Sequence, residues 1–63
     1  MGGREWLRYI RKTKQLTLRE VAKETGVSIA SYSAYEEGKR RPRPEAAKRI
    51  AEFLGFEWAR FYE

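Results

Sequence analysis

The chain has 63 residues, no Cys and no His, and 14 Lys and Arg against nine acidic residues, for a net charge of +5. That length bounds it to one domain, residues 1–63, with a small core. The missing Cys and His exclude disulfides, thiolate metal sites, most zinc sites and the commonest general base, and Asp is missing as well. With no phosphate-cradling Gly loop either, no catalytic residue, metal or cofactor is expected, and no small-molecule substrate is evident. The positive balance suits a polyanion, nucleic acid first, against the plainer reading of a solubilising surface. No apolar run reaches the roughly 20 residues of a membrane span, so no membrane is expected. Met1-Gly2-Gly3 leads straight into charged residues rather than a signal peptide, so the expected location is cytoplasmic.

Taken in chain order, a first helix is predicted over about residues 3–14. Leu7 and Ile10 sit three apart with Trp6 beside them, and Arg4, Arg8, Lys12 and Lys14 make a solvated basic face. Thr17-Leu18-Arg19-Glu20 reads as a capping box, with Thr17 as N-cap and Glu20 three residues on. Leu16 and Val21 flank it as a hydrophobic staple. This second helix turns Leu18, Val21 and Ala22 inward and stops at Gly26. Ser28 caps a third helix two residues later, with Val27 and Tyr32 as a second staple. Tyr32 and Tyr35 face inward, and Gly38 ends the helix.

A basic loop follows, Lys39-Arg40-Arg41-Pro42-Arg43. Pro44 then suits the first position of a fourth helix, with Glu45 against its positive end. Ala47, Ile50, Ala51 and Leu54 form its inner stripe, and Gly55 ends it. Residues 56–62 are rich in aromatics and are expected to form a short fifth helix. The fold class is therefore all-α, a compact five-helix bundle, and its second and third helices are joined by a Gly-containing turn, Gly26-Val27-Ser28.

Several segments carry a family resemblance in the right order. Residues 16–22 and the turn Gly26-Val27-Ser28 resemble the helix-turn-helix of the Cro and phage-repressor family, the lambda-repressor-like domains. Residues 35–42 and 50–55 resemble the close of its recognition helix and its fourth helix. The resemblance covers residues 4–62. It implies binding of double-stranded DNA by a transcriptional regulator, commonly a repressor acting as a homodimer on a pseudo-palindromic operator. It also implies an ion pair between Arg11 and Glu36, which is read here as structural, and a dimer interface in the last segment.

With Tyr32 and Tyr35 inward, the third helix turns Ile29, Ala30, Ser33 and Ala34 outward, with Ser31 on the flank. The family's base-reading positions fall on these four. None is Arg, Lys, Gln or Asn, so bidentate reading of a purine edge is absent from the helix, and methyl contacts and DNA shape are left. Backbone anchoring is expected at the helix starts, Thr17, Leu18 and Arg19 and again Ser28 to Ala30. Lys39, Arg40, Arg41 and Arg43 are expected to meet phosphates or a narrow minor groove. Leu18 falls where the family often has a polar contact, and plain packing is its simpler role.

Phe56, Trp58, Phe61 and Tyr62 are too many aromatics for so small a core, and they are the expected dimer face. A dimer would set two third helices about 34–36 Å apart. Two rivals stay open. One is a protein-interaction module such as an antitoxin, favoured by the small apolar reading face. The other is a nonspecific or architectural DNA binder.

Overall fold

In a computed structural model describing residues 3–63, the first helix, α1, spans Glu5–Thr13 and starts two residues later than its apolar spacing suggested. Gly3 and Arg4 are used differently. The Arg4 N–H donates to the Glu36 carbonyl at 2.7 Å, so the chain runs against another helix before it begins to coil. A Cβ at Gly3 would collide with that same carbonyl oxygen.

At its other end α1 closes without glycine. Gln15 adopts φ 58, the left-handed region, and the Leu16 N–H reaches back to the Arg11 carbonyl at 3.3 Å. A non-Gly residue there is disfavoured by the approach of its Cβ to the carbonyl.

The second helix, α2, spans Leu18–Thr25, and its capping box forms in full. The Glu20 N–H donates to Thr17 Oγ1 at 3.0 Å, and the Thr17 N–H donates to Glu20 Oε1 at 2.8 Å. Gly26, at φ 75, reverses the chain, and the third helix, α3, follows over Ile29–Glu36. Ser28 Oγ accepts the Ser31 N–H at 3.0 Å. Past α3, Gly38 is left-handed, and the Lys39 N–H bonds the Ala34 carbonyl at 3.0 Å. The fourth helix, α4, spans Pro44–Leu54, with Pro44 in its first turn and Gly55 beyond its end.

The expected fifth α-helix is instead a 3₁₀ helix over Trp58–Tyr62. Five residues without a side-chain N-cap are too short to repay the nucleation of an α-helix. The architecture is four α-helices and one 3₁₀ turn, with no strand among the described residues.

The core draws on every element. Leu7 comes from α1, Val21 and Ala22 from α2, Tyr32 and Tyr35 from α3, and Ala47, Ile50 and Leu54 from α4, with Phe61 from the 3₁₀ turn. Burying a Leu or Ile this fully stabilises by about 1.5–3 kcal/mol each. Leu18 is only half-buried, packed on the edge of this cluster rather than inside it.

The tail hides more of its aromatic surface than its composition suggested. Phe56 packs edge to face on Trp6 and Phe61, which meet each other at a tilt, with centroids 5.1–5.5 Å apart, and Trp58 packs on Tyr62 at 5.9 Å. Cationic groups cover these rings: Arg60 over Trp6 at 4.4 Å and Lys48 over Trp58 at 4.9 Å. Phe61 is 3% exposed and belongs to the core, so its ring is not available to a second copy of the chain; Phe56, Trp58 and Tyr62 are half-buried.

No helix among the described residues is long and apolar enough to cross a membrane.

Candidate nucleic-acid interface

The capping chemistry of α2 and α3 decides which backbone donors remain open. The first backbone bonds of these helices run from Val21 to the Thr17 carbonyl and from Tyr32 to the Ser28 carbonyl. The caps then take the amides of Glu20 and Ser31. That leaves the N–H groups of Leu18 and Arg19 on α2, and of Ile29 and Ala30 on α3, ahead of any intrahelical partner. Groups like these, at the positive end of a helix dipole, bind phosphate oxygens.

The two helix starts meet on one surface. An open groove is lined by Arg11, Lys12 and Gln15 from the end of α1, by Leu16 and Thr17, by Leu18 and Arg19 of α2, and by Ile29 of α3. Its floor is apolar and its rim is basic. Ile29 is 40% exposed at its edge. Thr17, Arg19, Ser28 and Ala30 are exposed, whereas Ser31, Ser33 and Ala34 are half-buried along the flank of α3. Lys12 was expected on a solvated face, and Gln15 was not singled out from sequence. Their membership follows from the turn at the end of α1, for which no local sequence signal exists.

The basic loop is tied down from three sides. Arg4 Nη1 donates to the Tyr35 carbonyl at 2.7 Å and to the Arg40 carbonyl at 2.9 Å. The Tyr62 hydroxyl donates to the Pro42 carbonyl at 2.7 Å. Arg40 Nη1 lies 3.3 Å from Ser31 Oγ on α3. Arg4 is therefore a clamp on the end of α3 and not part of a solvated face, its Nη1 spending both of its hydrogens on the two carbonyls. Burial, and then the nearby positive charge of Arg41, lower its pKa.

The loop's cations have different neighbours. Lys39 pairs with Glu37 at 3.5 Å, and Arg41 lies over the Tyr62 ring at 5.8 Å. Arg43 stands at the N-cap of α4. Arg40 alone lies against α3.

Beneath this surface, Arg11 and Glu36 join α1 to α3. Arg11 Nε donates to Glu36 Oε2 at 2.6 Å and Nη2 to Oε1 at 3.1 Å, with both side chains almost fully buried. Arg11 Nη1 also holds the Leu16 carbonyl at 2.8 Å. The hydrogen bond to Glu36 raises the Arg11 pKa against the opposing effect of burial. Arg49 performs a similar service from α4, with Nε 2.8 Å from the Thr25 carbonyl at the end of α2. The chain entering α2 is thus held by Arg11, and the chain leaving it toward α3 by Arg49. Among the described residues, no group of three acidic side chains is placed to hold a metal ion.

Comparison with known proteins is consistent along the length of the chain. A family model described as helix-turn-helix matches residues 7–61. The chain is 42% identical over 60 residues to an uncharacterized HTH-type transcriptional regulator of Bacillus subtilis, YqaF; the match covers 95% of this chain and 79% of YqaF. It is 43% identical over 51 residues to the HTH-type transcriptional repressor RghR of the same organism, covering 79% of this chain but only 38% of RghR. No solved structure matches significantly.

Proposed function

Because the chain belongs to the helix-turn-helix family whose model it matches, we propose that it is a DNA-binding transcriptional regulator that sets α3 in the major groove. One observation carries this reading: the starts of α2 and α3 meet on a single basic-rimmed groove with their first N–H groups open. These amides and Arg19 would grip phosphates on either side of the groove that α3 enters. Ile29 and Ala30 would lie against thymine methyls. Repression by occupying an operator is the form of regulation proposed, in keeping with the name of the relative RghR.

A two-fold dimer on a pseudo-palindromic site completes the proposal. Its contact would use the half-exposed rings of Phe56, Trp58 and Tyr62, without Phe61. Sedimentation in the presence of duplex should show two chains per site; a single chain per duplex at saturation would overturn the dimer.

One observation favours a second reading. Ile29 is 40% exposed beside Leu16 and Leu18, an apolar edge that would also suit a protein partner. Titration against random and selected duplexes separates the two. Binding with a large preference for the selected duplex supports the regulator. A steep salt dependence with no preference would indicate an architectural binder. No binding at low salt would leave the interaction module.

A further inference from the structure

We infer that Arg40, a loop residue, supplies the base reading that α3 lacks, as a guanidinium fork for the O6 and N7 edge of a guanine. This rests on the DNA-binding reading above.

Ile29 and Ala30 are exposed on α3, with Ser31, Ser33 and Ala34 half-buried on its flank, and none can make two parallel hydrogen bonds to a purine. Arg40 can, and it is held in place on that helix. Its N–H donates to the Ala34 carbonyl at 3.3 Å, and its carbonyl accepts Arg4 Nη1 at 2.9 Å. With the main chain fixed on both sides, the side chain turns back along α3 and brings Nη1 to 3.3 Å from Ser31 Oγ. Ser31 lies in the first turn of α3, the end whose amides face the groove. An exposed arginine free to choose would spread into solvent; this one spans the helix from its last turn to its first.

Its charge is also unspent. Among the described residues no carboxylate lies within ion-pair distance of Arg40, whereas Lys39 has Glu37 and Arg41 has the Tyr62 ring. A guanidinium carries five N–H donors, so the contact with Ser31 leaves the rest of the fork open. The position therefore offers what a bidentate contact needs: a planar donor pair, pre-oriented, beside the helix that enters the groove.

A phosphate contact would use the same charge but would not need the plane, and lysine would replace it. The test compares wild type, Arg40→Lys, Arg40→Ala and Ser31→Ala. Each is titrated at several salt concentrations against the best duplex selected from a random pool and against its single-base variants. Circular dichroism checks that each variant folds, which the exposed position of Arg40 favours.

Wild type should prefer guanine at one position of the site by roughly tenfold or more. Arg40→Lys should weaken that preference with the salt slope unchanged, and Arg40→Ala should abolish it. Ser31→Ala should weaken it without changing any charge. A guanine preference that survives Arg40→Ala would overturn the inference. So would a uniform loss of affinity across all sequences in Arg40→Ala, with a salt slope smaller by about one, because that is the mark of a phosphate contact. Wild type that binds DNA with no guanine preference overturns this inference alone. Wild type that binds no duplex at low salt overturns the DNA-binding reading and this inference with it.

Discussion

Tyr32 lies fully buried in the core, and its hydroxyl has no hydrogen-bond partner. Glu36 and Arg11 are close enough to act on it electrostatically, but neither meets it with hydrogen-bonding geometry. An unsatisfied buried hydroxyl costs about 1–3 kcal/mol, so Tyr32→Phe should raise stability at neutral pH by about 1 kcal/mol in urea denaturation. Burial first, and then the Glu36 carboxylate, push the Tyr32 pKa well above its ordinary value near 10. The sign follows from proton counting. Below pH 10 folded and unfolded chains both keep the proton. Above it the unfolded chain releases a proton that the folded one retains, so stability falls as pH rises, by up to about 1.4 kcal/mol per unit. Tyr32→Phe should lose that part of the alkaline decline; identical alkaline profiles for the two proteins would contradict it. Arg11→Ala should act in the opposite direction, stripping buried Glu36 of its bidentate partner and leaving it only Arg8 Nε at 3.8 Å, at a cost of about 3 kcal/mol. That is enough to unfold most of so small a domain at 25 °C, as circular dichroism would report. This pair was legible only through the family resemblance, since nothing in the local sequence joins residues 25 positions apart.

At the scale of elements, legibility followed locality. The capping box at Thr17 and the stops at Gly26 and Gly55 depend on neighbours a few residues away, and all three form as read. The start of α1 did not, because Gly3 and Arg4 answer to the end of α3 and not to their own helical period. Its end was equally hidden. Gln15 is no ordinary helix stop, and its left-handed backbone is sustained by Arg11, which holds the Leu16 carbonyl one residue further on. Glycine at that position relieves a steric penalty of about 1–2 kcal/mol and gives back about 0.5–1 in chain entropy. Gln15→Gly should therefore stabilise by about 0.5–1 kcal/mol, read as a higher urea midpoint with an unchanged slope. A lower midpoint would mean that the side chain contributes more than its backbone costs. The last element was read as an α-helix because aromatic content signals burial without signalling length.

For the molecule as a whole, the +5 charge pointed to a polyanion, but it could not say which cations are free to meet one. Folding sorts them. Arg4, Arg11 and Arg49 serve the carbonyls at the ends of α3, α1 and α2, and Lys48 and Arg60 cover aromatic rings. Lys12, Arg19 and Arg40 remain on the surface shared by the first turns of α2 and α3. That sorting depends on contacts distant in sequence, which is why the sequence could not say which cations stay exposed. The central claim is that this one surface receives the phosphate backbone, and amide chemical shifts during titration with a duplex test it most directly. The largest changes are expected at the amides of Leu18, Arg19, Ile29 and Ala30, with Arg40 beside them. Changes concentrated instead on the outer face of α4 or on residues 58–62, with those amides unmoved, would contradict it.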